Sequence, residues 1–514
     1  YLGINPSTGA PILNFNIDKR YPNQNMAINK LAGQAHINFT RDNVDLNLMT
    51  GYSSAEVQRA YANNNVAALT HDSLNNFATH FWGHYKNLKM SADYTQGSNS
   101  ILGSGQVLSV DYNALSTHAE YDFIISDALT IKPGASFKTT NYNSMGLGST
   151  TQRISPTEPL SFFETGYEIV EDEGDLNNSV ISGYLQADYH KNKLRLIGAA
   201  RVDKFKYPNK AIVSPLLAAT YKVTDDFLVR GSYGRSSRTP FMFDLFVDIN
   251  LRYPTNTIYN GHLLYNNIWY RGTEKTDEIT NAESSDYKLL TVDNAEIGFR
   301  HKISETFTLD IELFWSQLSN LITLAPVARD TLPNVTDAFG NTNSEAYEYH
   351  SYLNLNTKPQ QTGASLSLTS VPFKNMSFQI FVTIQQTIIK EYPDAVDAKG
   401  NEIDTDGDGK TNYDFQHMAT PAFTGGLNMN YKAAKNLNIN LNSYFYSHQT
   451  LTINGFNTEE VEPNILLNLT INYEVTKGLK LFATGRNLVG GMKRQFAFTD
   501  KIGPSVLGGI NLNF

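Results

Sequence analysis

The last eleven residues of the chain, Pro504 to Phe514, alternate in a way that constrains the whole fold. One face of an extended strand would carry Val506, Gly508, Ile510, Leu512 and Phe514, and the other face Leu507, Gly509, Asn511 and Asn513. Period-2 alternation that continues to the terminal carboxylate indicates a strand with one apolar face. Such a face suits the lipid-facing side of a membrane β-barrel, whose last strand pairs with the first. The alternative is an ordinary C-terminal strand of a soluble β-sandwich.

The same alternation recurs along the chain, which predicts a long series of β-hairpins. For example, Leu309 and Ile311 share one face of a strand, opposite Asp310 and Glu312. Short turns such as Thr476 to Gly478 alternate with long polar connections, as the hairpins of outer-membrane barrels do. The predicted fold class is therefore all-β: a transmembrane antiparallel β-barrel of about 22 strands, with short periplasmic turns and long extracellular loops.

Two expectations about boundaries follow from this pattern. Residues Glu348 to Ser370 are predicted to form one long strand, because a break would place two short turns in succession and disturb the inside/outside order. The extracellular loops are predicted at residues 54–76, 97–113, 142–179, 237–291, 322–347, 390–421, 448–463 and 489–503.

Composition narrows the function classes. No window holds the roughly 18 apolar residues of a membrane-spanning helix, and the mean hydropathy of -0.34 agrees with strands that are apolar on one face only. The net charge of -9 does not favour nucleic-acid binding, and the absence of Cys excludes disulfides and thiolate metal sites. The common hydrolase, kinase and nucleotide-binding motifs are absent, so an enzyme is not expected.

Three segments resemble one family in particular. Residues 214–222 read S-P-L-L-A-A-T-Y-K and are followed at residues 225–240 by D-D-F-L-V-R-G-S-Y-G-R-S-S-R-T-P. Residues 293–300 read D-N-A-E-I-G-F-R, and residues 485–488 read G-R-N-L ahead of the C-terminal strand. Together they resemble TonB-dependent outer-membrane receptors of the Bacteroidota type, with residues 1–514 matching the barrel domain.

The resemblance implies active uptake of a scarce ligand across the bacterial outer membrane, with energy from the TonB complex. The ligand would be a siderophore, a cobalamin, a glycan or a peptide. The implied partners are outer-membrane lipid, TonB, the ligand and, as a further candidate, a surface lipoprotein. Three alternatives remain open: a passive porin-like channel, a barrel that is a structural component of a surface complex, and a soluble β-propeller, whose blades repeat at a similar spacing.

The family also carries an N-terminal plug domain through which TonB acts. Because the first residues already resemble strand and turn, the plug is expected to be absent from this chain. Polar residues predicted to face the bore, such as Arg230, Asp310 and Glu312, would then be plug contacts. The alternative is that they form a solvated wall.

The C-terminal strand resembles the assembly signal of bacterial outer-membrane barrels. In that signal a glycine precedes two bulky apolar residues, and Gly509, Leu512 and Phe514 match these positions. Leu507 departs from the pattern, because the family usually has a polar residue there. These three residues are therefore the candidates for targeting and assembly.

The clearest chemical motif is D-T-D-G-D-G-K-T-N-Y-D at residues 404–414, which matches the D-x-D-x-D-G start of a calcium-binding loop. Carboxylates at alternate positions converge on one hard cation, and a glycine at the sixth position allows the sharp turn. The predicted Ca²⁺ ligands are Asp404, Asp406, Asp408, the Lys410 carbonyl and Asp414. The twelfth position is Phe415 instead of the usual Glu, so an acidic solvated loop is the alternative.

The longest predicted loop, residues 237–291, is rich in aromatic residues among polar ones. Its Tyr253, Tyr259, Trp269 and Tyr270 are the predicted ligand-binding residues, because aromatic rings in a polar loop can stack on a ligand. The alternative is that the loop packs on itself as a folded lid.

Overall fold

The structure is a computed structural model that describes residues 28–63, 66–103, 106–143, 167–168, 175–238, 241, 244–245, 248–259, 262–271, 287–336, 342–396, 401–453, 457–497 and 501–512. Within these ranges almost every residue lies in a β-strand or in a turn between strands. Among these residues, no helix has the length and the apolar character required to cross a membrane. The predicted all-β class is confirmed.

The strands follow one another closely along the chain. The first sixteen are β1 Ile28–Arg41, β2 Val44–Asn63, β3 Val66–Tyr85, β4 Leu88–Gly103, β5 Gln106–Tyr121, β6 Phe123–Ser126, β7 Leu129–Asn143, β8 Tyr167–Glu168, β9 Asp175–Lys191, β10 Leu194–Phe205, β11 Ala211–Lys222, β12 Phe227–Ser237, β13 Asp248–Tyr259, β14 His262–Arg271, β15 Thr291–Ser304 and β16 Phe307–Ser319. The second sixteen are β17 Leu321–Thr336, β18 Thr342–Leu355, β19 Lys358–Phe373, β20 Met376–Pro393, β21 Ala395–Val396, β22 Glu402–Ile403, β23 Asn412–Gln416, β24 Phe423–Ala434, β25 Leu437–Tyr446, β26 Gln449–Ile453, β27 Asn457–Val461, β28 Asn464–Thr476, β29 Leu479–Arg486, β30 Lys493–Arg494, β31 Lys501–Ile502 and β32 Ser505–Leu512.

One large sheet contains 21 of these strands, close to the predicted number. Its neighbours follow chain order in antiparallel hairpins, from β1–β2–β3–β4–β5–β7–β9–β10 through β11–β12–β15–β16–β19–β20 to β24–β25–β28–β29–β32. The short β6 extends the line of β5 along β7, and β23 pairs with the far end of β20. Within the described residues β1 and β32 are the edges of this sheet.

The connections at one end of the sheet are tight turns, as predicted. Asp42, Lys86 and Asn192 adopt positive φ angles of 49°, 52° and 54° in the turns after β1, β3 and β9. In the turn between β28 and β29 the residue with a positive φ angle is Gly478, at 94°. Left-handed residues of this kind close short hairpins whose twist matches that of the strands.

Several boundary predictions were wrong. Residues 54–76 are not a loop, because β2 and β3 remain paired as far as Asn63 and Val66. The same holds for residues 97–113, because β4 and β5 remain paired as far as Gly103 and Gln106. Nor are residues 348–370 one strand: β18 ends at Leu355 and β19 begins at Lys358. The buried Thr357 between them donates a 3.2 Å hydrogen bond to the carbonyl oxygen of Glu391, where the chain passes from one sheet to another.

The second sheet is built from the long connections and has the order β17–β18–β14–β13–β8. It contains the single parallel pairing between described strands, β14 with β18, while its other pairings are antiparallel. The predicted loops at residues 237–291 and 322–347 thus contain strands. Pairing continues beyond the membrane because an extended backbone satisfies its polar groups best in a ladder.

The large sheet has one apolar face and one polar face, and the apolar side chains are the exposed ones. A soluble sandwich shows the reverse, because it buries its apolar side chains. Ile181, Leu217 and Val506 expose 63%, 60% and 77% of their surface. Ser182, the neighbour of Ile181 on the other face, is buried and donates a 2.5 Å hydrogen bond to Asp203. Apolar side chains therefore cover the outer face, and polar networks line the inner face, as in a membrane barrel.

A small apolar cluster lies where the ends of the long 237–291 connection join the sheet. It consists of the buried side chains of Phe205, Leu245, Tyr287 and Leu289. Beside it, Arg238 contacts Asp244 at 3.6 Å, and its guanidinium lies 3.7 Å from the ring centroid of Phe241. Both ends of this connection are therefore packed against the barrel wall.

Candidate functional site

The inner face of β12, β15 and β16 holds a compact group of charges. Nη2 of Arg230 contacts Asp310 Oδ1 at 2.9 Å and Glu312 Oε2 at 2.8 Å, and Nε of Arg300 contacts Asp310 Oδ2 at 2.6 Å. Arg230 and Asp310 lie on β12 and β16, with β15 between them. The reach is possible because the intervening residue is Gly298, directly opposite both Arg230 and Glu312 in register.

This charged group forms one wall of a cavity of about 740 Å³. The cavity lining also includes the turn residues Asp225 and Asp226, so it lies toward the tight-turn end of the sheet. The remaining lining is mainly polar, with Ser365, Ser367, Thr369 and Gln379 among its members. The predicted bore residues Arg230, Asp310 and Glu312 are thus brought together on one polar surface. Because the three are already paired with one another, they present hydrogen-bonding groups to the cavity more than free charge.

Aromatic side chains elsewhere on the inner face lie over glycines of the neighbouring strand. Tyr184 covers Gly134, and its hydroxyl donates to Glu120 at 2.7 Å while contacting His118 Nε2 at 2.7 Å. The same arrangement places Phe482 over Gly509. A glycine at these positions leaves room for a ring to lie flat against the sheet.

The acidic loop at residues 404–410 is closed by its own carboxylates. Asp404 accepts hydrogen bonds from the amides of Gly407 (2.7 Å) and Gly409 (3.0 Å), and these two glycines have φ angles of 78° and 85°. Asp406 accepts from the amide of Asp408, and Asp408 from that of Lys410. The bonds from the Gly407 and Gly409 amides hold the pKa of Asp404 below its usual value.

Three carboxylates of this region converge within 4.8 Å of one another: Asp394, Asp404 and Asp406. Asp394 was missed in the sequence because it lies ten residues before the motif, and the pairing of β21 with β22 brings it close to the loop. Asp414 instead accepts a 2.9 Å hydrogen bond from the amide of Glu391. These groups could supply hard oxygen ligands of the kind that Ca²⁺ takes.

Sequence reasoning also missed an aromatic cluster beside the acidic loop, formed by Tyr392, Tyr413 and Phe415. The ring centroid of Tyr392 lies 5.7 Å from that of Tyr413 and 5.5 Å from that of Phe415. Tyr413 and Phe415 are two residues apart on β23 and therefore lie on the same face of that strand. This segment was predicted as part of a loop. The aromatic residues within 390–421 are the sequence signal for this cluster, but the sequence does not show that Tyr392 pairs with Tyr413 across two strands.

The four predicted ligand-binding aromatics lie in strands of the second sheet. Tyr253 and Tyr259 belong to β13, and Trp269 and Tyr270 belong to β14. The backbone register pairs Tyr253 with Asn266 and Tyr259 with His262. The side chains of the four aromatics lie outside the described part of the structure.

Two of the three predicted assembly residues, Gly509 and Leu512, lie in β32, an edge strand of the large sheet. Gly509 pairs with Phe482 and Leu512 with Leu479, at the junction of β29 and β32. Leu512 exposes 56% of its surface, as expected of a side chain that meets lipid. Phe514 lies outside the described residues.

Comparisons with known proteins agree with this architecture. Residues 3–488 match the family model described as TonB dependent receptor-like, beta-barrel. No curated protein sequence matches the chain.

Among solved structures, the siderophore receptor PirA from Acinetobacter baumannii is similar with a TM-score of 0.68 and 13% identity, over 97% of this chain and 73% of that one. A mutant of the ferric enterobactin receptor PfeA from Pseudomonas aeruginosa gives a TM-score of 0.67 and 13% identity, over 95% and 70%. The FrpB iron transporter from Neisseria meningitidis gives 0.61 and 11%, over 95% and 73%. At these identities the likeness concerns the fold alone.

Proposed function

Because the chain belongs to the TonB-dependent receptor-like β-barrel family, we propose that it takes up a scarce ligand actively, with energy from the TonB complex. It is a multi-strand β-barrel protein of the bacterial outer membrane. The observation that carries the proposal is the combination of an apolar outer face with a polar inner face that holds a charged group at Arg230, Asp310 and Glu312. A family of receptors and transporters gives no reason to expect an enzyme.

The charged group on the inner face would contact a plug domain within the bore. The cavity beside it is polar and lies toward the periplasmic turns, where a plug must connect to TonB. Residues 1–514 would then form the barrel domain of a Bacteroidota-type receptor. The resemblance at residues 214–240 supports that type.

The ligand class comprises siderophores, cobalamins, glycans and peptides. The similar solved structures include receptors whose names specify siderophores and iron, but a likeness in fold at 11–13% identity does not extend to the ligand, so all four classes are tested below. Tyr253, Tyr259, Trp269 and Tyr270 are the proposed contacts in the second sheet, on the argument that their aromatic rings stack on a ligand. A surface lipoprotein that covers this sheet remains a proposed partner.

We also propose that the acidic loop binds Ca²⁺ through Asp404, Asp406, Asp408, the Lys410 carbonyl and Asp414, with Asp394 as an added candidate. The support is the approach of three carboxylates within 4.8 Å and the turn geometry at Gly407 and Gly409. Bound Ca²⁺ would stiffen the outer end of β20 and β23, because both strands adjoin the loop.

Uptake with and without an energised TonB complex tests the main proposal. The full-length gene product is expressed in a host that lacks related receptors, and labelled ferric siderophores, cobalamin, neutral glycans and peptides are supplied separately. One ligand class should accumulate inside, and deletion of TonB should abolish that accumulation. Uptake that is proportional to concentration and indifferent to TonB would instead support the passive channel.

A further inference from the structure

The aromatic cluster of Tyr392, Tyr413 and Phe415 remains open to solvent although its rings contact one another. Tyr392, Tyr413 and Phe415 expose 37%, 49% and 37% of their surface. The centroids of Tyr413 and Phe415 lie 5.8 Å apart, and Tyr392 meets Phe415 edge to face. Three adjoining rings with uncovered surface form a platform of the kind that receives a partner. We name these three residues the rim platform.

The register places the rim platform on the bore side of its hairpin. Phe415 pairs with Ile389, which lies on the same alternating face of β20 as Phe381. Phe381 lies over Gly426 and lines the inner cavity. Tyr413 is two residues from Phe415 and pairs with Tyr392, so both share that face. The platform therefore lies on the bore-facing side of the sheet, at its extracellular end.

Backbone contacts hold the platform in place. The bulge at Glu391, where φ is 54°, is fixed by the hydrogen bond from its amide to Asp414 and by the 2.7 Å contact of its carboxylate with Lys358. The amide of Asp394 donates to the carbonyl of Thr411 at 3.0 Å, and that of His417 to Thr387 at 2.9 Å. A platform fixed in this way loses little entropy when it binds a ligand.

The charge around the platform selects among ligands. Between Glu391 and Gln416 the chain carries eight carboxylates and only two lysines. Asp394 and Asp404 lie in the loop that adjoins the platform. With one Ca²⁺ bound, as proposed above, the eight carboxylates (−8), the two lysines (+2) and the ion (+2) still give a formal charge of −4. A negative surrounding repels anions such as ferric tris-catecholate complexes, because like charges at an interface oppose association.

The spacing of the rings excludes a cation cage. A quaternary ammonium group needs aromatic faces on several sides, each within about 6 Å of the cation. Here the centroids lie only 5.5–5.8 Å from one another, so the rings occupy the space that the cation would need. A flat ligand face laid across the rings fits this arrangement, and its hydroxyl groups would find acceptors among the carboxylates.

We infer that the rim platform is a binding subsite for a neutral saccharide at the mouth of the barrel. The apolar face of a pyranose ring would lie on the aromatic rings, and its hydroxyl groups would donate to carboxylates of the adjoining loop. The inference rests on the proposed uptake function and deepens it, since it selects glycans from the ligand classes named above.

The test is binding of detergent-purified full-length protein to an array of neutral glucans, xylans, mannans and galactans, with ferric enterobactin as an anionic probe. Binding to at least one neutral saccharide is expected, and the double variant Tyr392→Ala/Tyr413→Ala should weaken it by about tenfold or more, as for buried aromatic anchors. Tyr413→Phe should retain most of the affinity. Tyr221→Ala is the matched control, because Tyr221 is equally exposed (49%) but lies beside a tight turn.

Three outcomes overturn the inference: no neutral saccharide binds, the double variant binds as well as the parent, or ferric enterobactin is the ligand that the double variant loses. These outcomes are separable from the fate of the proposed function. TonB-dependent uptake of another ligand class, unaffected by the double variant, would remove the subsite and leave the transporter intact. Saccharide binding without any TonB-dependent uptake would remove the transport function instead.

Discussion

The guanidinium of Arg230 lies over Gly298, at a point where a Cβ atom would come within 2.5 Å of Arg230 Cζ and Nε. Gly298 therefore permits an ion pair between strands that are not neighbours, β12 and β16. The pair ties three consecutive strands together on the inner face, and it does so where the proposed plug contacts lie.

Substitution of this glycine should separate the charges. Gly298→Ala forces Arg230 away from Asp310 and Glu312, and a charged hydrogen bond of this kind contributes about 1–3 kcal/mol. We expect a lower apparent unfolding temperature in the heat-modifiable gel shift of the purified barrel. Gly231→Ala is the control, because its Cβ would meet its nearest atom at an ordinary 3.7 Å. Equal stability of the two variants would show that the Arg230 pair contributes nothing.

Substitutions at Gly509 can distinguish two roles of this glycine: recognition by the assembly machinery and the packing of β32 against Phe482. A Cβ there would meet Phe482 Cζ at 2.5 Å, whereas a Cβ at Gly508 would meet only the Phe482 carbonyl at 3.7 Å. Gly509→Ala should therefore reduce the amount of folded protein in the outer membrane, since overpacking typically costs about 1–3 kcal/mol. Gly508→Ala should not.

A second substitution identifies the reason. If Gly509 acts by accommodating the ring, Phe482→Ala should restore folded protein in the Gly509→Ala background. Absence of rescue would mean that the assembly machinery reads the glycine itself. The measurement is the ratio of folded to unfolded barrel in isolated outer membranes.

The alternation of side chains was sufficient to predict the class of fold and the two faces. Leu309 and Asp310 lie on opposite faces because a strand has a fixed period of two, which is a local property. The long connections were less predictable. Residues 348–370 form two strands because the chain joins a second sheet there, and the partners of that sheet come from distant segments.

Contacts between distant segments were also the part of the candidate sites that the sequence did not predict. Asp404 and Asp406 belong to a contiguous motif and were identified from the sequence. Asp394 reaches them only through the β21–β22 hairpin, and Tyr392 meets Tyr413 only through cross-strand pairing. Spatial neighbours of this kind depend on register, which a single sequence does not specify for long polar segments.

Calcium binding at the acidic loop can be followed with Tb³⁺, whose luminescence is sensitised by a nearby tyrosine such as Tyr413. We expect a saturable signal that Ca²⁺ displaces and that Asp404→Asn removes. Asp394→Asn and Asp414→Asn then show which carboxylate completes the ligand set. The control is Asp225→Asn/Asp226→Asn in a distant turn. A signal unchanged by Asp404→Asn would place the ion elsewhere.

We expect the folded conformation of the acidic loop to lose stability at low pH. The hydrogen bonds from the Gly407 and Gly409 amides lower the pKa of Asp404, and those from Asn412 and Thr411 lower the pKa of Glu402. A lowered pKa stabilises the folded loop above the unfolded carboxyl value of about 4, and this contribution is lost as the pH falls through the folded pKa.

Hydrogen exchange of the Gly407 and Gly409 amides measures this dependence. After correction for intrinsic rates, protection should be constant from about pH 8 to pH 5, and it should begin to fall only below about pH 4, as the pH approaches the lowered pKa of Asp404. In Asp404→Asn the protection should be weak at every pH. Protection that increases with acidification would contradict the assigned hydrogen bonds.

The central claim is that each strand has one face in hydrocarbon and the other in an aqueous bore. The chain contains no Cys, so single-cysteine variants can be spin-labelled without background. Labels at Leu309 and Ile471 are compared with labels at Thr308 and Asn472, in protein reconstituted in a lipid bilayer, using oxygen and a water-soluble nickel complex as relaxation agents. The account predicts oxygen access at Leu309 and Ile471 and nickel access at Thr308 and Asn472. Leu309 and Ile471 shielded from both agents, as in a dry protein interior, would contradict it.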